Sequence, residues 1–531
     1  MKTYLISSFL IFSLQTLLAQ VKTEAYIGIS NRMDYAEGIT EYYDKGYFIL
    51  GGFEYEKGWT IKTDINLEPL WDFVYEFPSL PVYVKGTVKD ADGNVYVCGS
   101  VDSWPFVAKL NPCSEKIWCK VFNFEDEFDF GYSQDVVLNQ NNEIILLTYL
   151  NSDEDEINIT HLICIDDNGN VLWKKPYASR DDYSWIRQPT GYSLEKINSD
   201  YYISGYCYYP YPDDTLHWFL RPLFIGIDSL FEEKWVLPYY ALDSVFGLAF
   251  KTTPLNDSVF MGVGVRHGFY QGLLMFYNKD GEELGYYGIE DDQLGPDING
   301  SDIRDIARIN DTLFLAAALF GPDNTGNPGG EFIVSTSGGI YGTNSRPGTH
   351  IPSITKTYDN NYVIATSIDE SKGDDDIYVY KIDENLNDVP FDPTPHAYDS
   401  LCPGGIQSGT IDLTSCFVWT DVSEAPSPGE YYSFIQTIPI KVFPNPATEG
   451  SVTFEFENTE HLTPPLVPPQ GGNPPHLSVY NIFGQLIHTE RIYRYQEKTE
   501  VNINSWQAGM YFGVVYSNGK PAGKCKFVVS H

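Results

Sequence analysis

The stretch Asp90-Ala-Asp-Gly-Asn-Val-Tyr-Val-Cys-Gly-Ser100 is a tight turn running into a short apolar strand, and the chain repeats it. Six more strands align with Val95–Ser100 without gaps: Tyr47-Phe-Ile-Leu-Gly-Gly52, Ile144-Ile-Leu-Leu-Thr-Tyr149, Tyr201-Tyr-Ile-Ser-Gly-Tyr206, Val259-Phe-Met-Gly-Val-Gly264, Leu313-Phe-Leu-Ala-Ala-Ala318 and Tyr362-Val-Ile-Ala-Thr-Ser367. By subtraction their starts lie 48, 49, 57, 58, 54 and 49 residues apart. Three residues before each start stands Asp44, Asp92, Asn141, Asn198, Asn256, Asn310 or Asp359. Asx side chains bond their own main chain and tolerate a left-handed backbone, which a tight β-turn needs. A hairpin is therefore expected seven times.

Each repeat carries a second signal downstream. An apolar strand runs into Asp64, Asn111, Asp166, Asp228, Asn278, Ser335 or Asp383, and seven positions later stand Trp71, Trp118, Trp173, Trp235, Gly285, Gly342 and Pro390. Four tryptophans at one offset mark a common structural place. Each unit reads as four short antiparallel strands in about 50 residues, which is a propeller blade. The tryptophan pattern is similar to that of quinoprotein-like propellers, as a scaffold. The fold class expected is all-β: a seven-bladed β-propeller over 21–395, a connector over 396–437, and an immunoglobulin-like β-sandwich over 438–531.

Ring closure has its own signature. The last repeat runs into Pro390, Pro393 and Pro395 where an outermost strand should be, while Thr23 to Ile29 has no blade of its own. The N-terminal strand is expected to complete blade seven and leave no loose edge.

Composition narrows the partners. With 72 acidic against 34 basic side chains the formal charge is −38, which repels phosphate backbones and argues against nucleic acid. Residues 1–20 read as a signal peptide, with Lys2, an apolar run from Tyr4 to Leu18, and cleavage between Ala19 and Gln20. No later run reaches the ~18 apolar residues of a membrane-spanning helix, so no transmembrane segment is expected. Export permits disulfides. Cys402 and Cys416 are the expected pair around a Gly-containing segment, and Cys113 and Cys119 the pair across a hairpin turn. Cys98, Cys164 and Cys207 lie in apolar strands and are expected to be buried thiols.

The C-terminal stretch carries Ile440-Lys-Val-Phe-Pro-Asn-Pro446, Val479-Tyr-Asn-Ile-Phe-Gly-Gln-Leu486, Trp506-Gln-Ala-Gly-Met-Tyr-Phe512 and Lys524-Cys-Lys-Phe-Val-Val529. In that order it resembles the type A sorting domain of the Bacteroidetes type IX secretion system. The resemblance implies roles for Phe443, Pro444, Asn445, Pro446, Gly484, Gln485, Gly509, Tyr511, Lys524 and Lys526. It implies recognition by the outer-membrane translocon, removal by a sortase-like peptidase, and a destination in the medium or on the cell surface. One departure is the proline-rich insertion from Asn458 to His476, expected as an exposed extended loop.

No catalytic, metal or cofactor constellation is legible. Asp90–Asn94, Ser152–Glu156 and Gly373–Asp376 are acidic but lack the spacing of a calcium loop. The Ser-x-Asp-x-Gly-x-x-Trp box of sialidases and the Gly-x-Ser-x-Gly elbow of hydrolases are missing, and His161, His217, His267 and His350 are scattered. The aromatic run Tyr206-Cys-Tyr-Tyr-Pro-Tyr211 followed by Trp218 is a candidate ligand platform, through Tyr208, Tyr209, Tyr211 and Trp218. The reading is an exported propeller that binds glycan or protein through loops at one end of its ring. Its alternatives are a polysaccharide hydrolase or lyase with carboxylates meeting at the channel, or a structural surface component.

Overall fold

The computed structural model describes residues 23–29, 32–54, 56–123, 130–152, 157–179, 186–211, 214–239, 247–266, 271–289, 294, 301–320, 329–347, 351–371, 374–390, 392–419, 440–448, 450–456, 476–481, 486–492, 496, 498–517 and 520–530. The signal-peptide segment, Gly484, Gln485 and the proline-rich insertion lie outside them, apart from its last residue, His476. The chain divides into two compact units, Met1–Ser423 and Glu424–His531.

The first unit is a ring of seven four-stranded antiparallel blades. Its first strand, β1 (Glu24–Ile27), stands apart from the blades that follow it in sequence. Blade one is β2 (Asp34–Glu41), β3 (Tyr47–Phe53), β4 (Lys57–Thr63) and β5 (Pro69–Glu76). Blade two is β6 (Val82–Lys89), β7 (Val95–Val101), β8 (Trp104–Leu110) and β9 (Lys116–Asn123). Blade three is β10 (Phe130–Leu138), β11 (Ile144–Ser152), β12 (Ile157–Ile165) and β13 (Val171–Tyr177). Blade four is β14 (Arg187–Ile197), β15 (Asp200–Tyr211), β16 (Asp214–Ile227) and β17 (Glu233–Pro238). Blade five is β18 (Gly247–Pro254), β19 (Val259–Arg266), β20 (Gln271–Asn278) and β21 (Glu283–Gly288). Blade six is β22 (Asp302–Arg308), β23 (Leu313–Leu319), β24 (Gly329–Ser335) and β25 (Ile340–Arg346).

Blade seven is built from both ends of the ring: β26 (Ser353–Lys356), β27 (Tyr362–Ser371), β28 (Asp374–Ile382) and then β1 on its outer edge. Glu24 pairs with Tyr380 and Ile27 with Ile377, antiparallel. The latch read from the sequence is present. Apolar clusters fill the interfaces all the way round. Ile49 and Ile61 of blade one meet Val363 and Val379 of blade seven in one of them, so the ring is closed.

The repeated Asx residues act as the sequence requires. The side-chain oxygens of Asp64, Asn111, Asp166, Asp228, Asn278 and Asp383 each accept the main-chain N–H groups two and four residues on. The Ser335 hydroxyl accepts from Gly339 in the same way. Three residues after each of these seven turn heads the backbone is left-handed, at Leu67, Ser114, Gly169, Phe231, Gly281, Gly338 and Leu386. Two of the four tryptophans at offset seven dock on the next blade's turn: Trp118 Nε1 donates to the Asp167 carbonyl at 2.9 Å, and Trp235 Nε1 to that of Lys279 at 2.9 Å. Glycine is needed beneath them. A Cβ on Gly169 would stand 2.9 Å from Trp118, and one on Gly281 2.6 Å from Trp235.

Two expectations are corrected. The segment read as an inter-domain connector is, through residue 419, part of the ring. Asn66 and Asp392 exchange two hydrogen bonds, Tyr398 accepts from the Ile65 N–H, and Asp399 accepts from Trp71 Nε1. Strand β29 (Gly409–Asp412) then pairs parallel with β5, and β30 (Phe417–Trp419) parallel with β9. Ile411, Leu413 and Cys416 join Trp71, Tyr75 and Val121 in the core between blades one and two. This strap gives the outer edges of blades one and two a fifth strand each.

The second correction concerns pairing. The same four cysteines are bonded, but as Cys113–Cys402 and Cys119–Cys416. The extended β29 carries Cys402 and Cys416 apart, and the strap lies along blade two where Cys113 and Cys119 stand. Cys98, Cys164 and Cys207 are free and buried.

The second unit is a β-sandwich. One sheet orders β31 (Ile440–Phe443), β32 (Ser451–Phe456) and β35 (Lys498–Asn502); the other orders β34 (Leu486–Arg491), β33 (His476–Asn481), β36 (Gly509–Ser517) and β37 (Lys520–Val529). Val452, Phe454 and Val501 from the first share a core with Leu477, Val479, Val515 and Phe527 from the second.

Candidate functional site

The two ends of the ring differ. One carries the tight Asx turns. The other carries the connections between second and third strands and between successive blades, and loops on a rigid scaffold are where binding residues concentrate. At that loop-bearing end the innermost strands of the first six blades are irregular. Their registers slip between Ala36 and Gly38, Val84 and Gly86, Ser133 and Asp135, Gly191 and Ser193, Ala249 and Lys251, and Ile303 and Asp305. A β-bulge re-aims one side chain. The extra residues are Glu37, Lys85, Gln134, Tyr192, Phe250 and Arg304, all half-buried.

These residues meet around the inner wall. Lys85 is paired with Glu37 at 2.6 Å. The Tyr192 ring stacks on Phe250 at 5.5 Å, and the Arg304 guanidinium lies 4.1 Å above Phe250. The aromatic surface continues through Tyr206 (5.5 Å from Tyr192) to Tyr208, and in blade three through Tyr132 and Tyr149 at 5.2 Å. Burial pushes the Tyr149 phenol up, and the neighbouring phenols of Tyr132, Tyr206 and Tyr192 add to it.

A charged layer follows the bulges. Lys251 pairs with Asp305 at 2.7 Å. The other Asp305 oxygen accepts the Ile354 N–H of blade seven at 2.8 Å, and Asp135 accepts the Leu194 N–H of blade four at 2.9 Å. In each case a carboxylate of one blade satisfies a main-chain amide of the next. Burial pushes Asp135 up to about 6 against those hydrogen bonds. Burial pushes Glu195 up to about 7, with Asp135 and Asp305 adding to it and Lys251 opposing. Burial alone would lower the Lys251 ammonium, but Asp305 and Glu195 outweigh it and hold it charged. His161 lies buried in β12, where burial brings it down to about 3. Among the described residues no three His, Cys, Asp or Glu side chains converge as metal ligands.

The aromatic run singled out in the sequence divides between two places. Tyr208 reaches the mouth through Tyr206, and Trp218 lies under the Arg187 guanidinium at 3.8 Å. Tyr209 points the other way and packs on the core between blades three and four. The Tyr211 side chain lies outside the described residues. Sequence reading missed Tyr132, Tyr149, Tyr192, Phe250 and Arg304. One signal was available: the bulge residues stand ten positions before the first three repeat strands and nine before the next three, by subtraction.

In the second unit two motif blocks come together. Asn445 of the Phe443-Pro-Asn-Pro446 turn accepts the Val528 N–H at 3.0 Å, tying the turn to the terminal strand. Phe443 is exposed, and so is Lys526 on β37. Gly509 opens β36, and the Tyr511 hydroxyl donates to the Gln507 carbonyl at 2.8 Å. The Lys524 side chain lies outside the described residues.

Residues 441–530 match the family described as the secretion system C-terminal sorting domain. No curated protein matches the chain. Among solved structures, Drosophila Plexin A in complex with Semaphorin 1b is 10% identical over 68% of this chain and 87% of its own, with a TM-score of 0.40. A protein of unknown function from Dyadobacter fermentans is 10% identical over 68% and 97%, at 0.39. Streptogramin B lyase is 10% identical over 67% and 97%, at 0.38. The propeller is established by its own sheet order, independently of these likenesses. The sorting domain addresses the chain for export, to the cell surface or the medium, and implies contact with the secretion machinery.

Proposed function

We propose that the exported ring is a binding protein whose loop-bearing mouth takes a carbohydrate chain. The observation that carries this is the stack of Tyr192 on Phe250 beneath Arg304, three bulge residues from three successive blades. Aromatic faces that stay half-buried while their neighbours are buried offer flat surfaces for the C–H faces of sugar rings. The Arg304 guanidinium and the Tyr206 and Tyr208 hydroxyls supply donors beside them. Asp135 and Asp305 are engaged in joining blades, which weighs against a catalytic pair.

The test is a glycan array read with the exported chain and with Tyr192→Ala. Retention of a glycan that the variant binds at least tenfold more weakly is expected. Equal retention by both chains moves the site elsewhere.

A second reading rests on Glu195. Its carboxylate makes no hydrogen bond among the described residues, and burial holds it at about 7 beside Lys251, which suits a general acid or base. Release of sugar from a polysaccharide, lost in Glu195→Gln, would establish an enzyme. Export through the outer-membrane translocon, followed by cleavage by a sortase-like peptidase, is tested by deleting residues 438–531. The truncated chain is expected to stay in the periplasm.

A further inference from the structure

We infer that the crevice between blades three and four, at the turn-bearing end of the ring, is a second carbohydrate site that takes one neutral pyranose ring against the half-buried Trp173. It lies at the opposite end from the mouth and stands independently of the reading given for it.

At this interface the indole is not docked on the next blade's turn, and among the described residues no strap residue takes the turn's place as Asp399 does at Trp71. Trp118 and Trp235 each donate their indole N–H to the first carbonyl after the next turn head. For Trp173 the equivalent acceptor is the Ser229 carbonyl, and the indole makes no such bond. Gly169 and Gly281 let an indole lie flat on the turn; the corresponding residue here is Phe231, left-handed at φ 62°. Its ring occupies the docking place, 4.7 Å from Trp173 and 4.7 Å from Tyr201.

The result is a cavity of about 260 Å³ lined by Trp173 over the buried Phe231 and Tyr201 and by Gln140, Asn141 and Glu143. Glu143 accepts from Asn139 and from the Cys164 thiol through Oε2, which leaves Oε1 open. Gln140 and Asn141 are exposed on the wall. An indole beside an amide pair and a carboxylate oxygen matches a sugar ring, with its apolar face and its rim of hydroxyls. A purely apolar ligand would leave those polar groups without partners. The Glu143 carboxylate disfavours acidic sugars.

The probes are methyl glucoside, methyl galactoside, methyl mannoside and N-acetylglucosamine, followed by saturation-transfer NMR on the full chain. Transfer to at least one of the four is expected. Asn141→Ala, a surface change, should weaken it about fivefold, the effect of one lost hydrogen bond. Phe231→Gly should abolish it by letting Trp173 dock. The same probes are also read on the Tyr192→Ala chain and on its combinations with Asn141→Ala and Phe231→Gly, where transfer at the mouth no longer contributes, so that failure of the mouth and failure of the rim are told apart. Transfer to none of the four, or transfer in the Tyr192→Ala chain that survives both Asn141→Ala and Phe231→Gly, overturns the site.

Discussion

Cys113, in the turn between β8 and β9, is bonded to Cys402, 289 residues further along the chain, with their Cα atoms 5.1 Å apart. Cys119 is bonded to Cys416 across 297 residues. Together they staple the strap to blade two, while β1 latches blade seven. A long-range disulfide typically contributes 2–4 kcal/mol, largely by restricting the unfolded chain. Both bonds close nearly the same loop, so their effects should overlap. Either Cys402→Ser or Cys416→Ser alone is expected to cost less than half of what the double variant costs. Thermal melting of the three variants checks this, and a double variant that melts like the native chain would mean the strap does not stabilise the ring.

The latch can be broken at one residue. Ala25 is buried in the interface between blades seven and one, among Ile27, Ile39 and Val379. Ala25→Asp places an unpaired carboxylate there, which should cost 3 kcal/mol or more and open the ring at its only two-ended blade. Faster proteolysis beginning within blade seven is the expected readout. Cleavage spread evenly round the ring would show that β1 is dispensable.

Much of this architecture was legible because hairpin chemistry is local. Asp64, Asn111, Asp166, Asp228, Asn278 and Asp383 cap their own turns within four residues, so the sequence carries the signal entire. The pairing of Glu24 with Tyr380 was legible only by counting strands, since blade seven lacked one and the N-terminus had one to spare. The disulfide partners were not legible. Cys113 and Cys402 meet because β29 runs parallel along blade one, and no local pattern announces a fifth strand. The mouth was legible in part. The Tyr206–Tyr211 run marks one blade, but alternation along β15 sends Tyr208 and Tyr209 to opposite faces. Tyr192, Phe250 and Arg304 become neighbours only through bulges in three separate strands.

Gly169 and Gly405 separate backbone strain from lost docking. Both are left-handed, at φ +83° and +72°, but a Cβ on Gly169 meets the Trp118 ring at 2.9 Å while one on Gly405 meets nothing within 4 Å. Gly405→Ala should cost about 1 kcal/mol, from the left-handed backbone alone. Gly169→Ala should cost roughly 2–3 kcal/mol, because the indole must also leave the Asp167 carbonyl. Equal shifts in melting temperature would mean that tryptophan docking does not stabilise the blade interface.

The channel carboxyls make stability depend on pH in a direction opposite to that of ordinary surface ion pairs. Burial raises Glu195 to about 7 and Asp135 to about 6 in the fold. In the unfolded chain such groups titrate near 4. Between about pH 4 and pH 7 the folded ring therefore holds more protons than the unfolded chain, so stability falls as pH rises through that window, and the penalty is complete above it. Glu195→Gln removes the charge without changing the shape. At pH 8 it should stabilise the ring by on the order of 1–3 kcal/mol, the smaller figure allowing for water reaching the half-buried carboxyl. At pH 4, where the native side chain is already protonated, the two proteins should melt together. A stabilisation of the same size at both pH values would show that Glu195 is not the group that titrates, and would remove the basis for giving it an acid–base role.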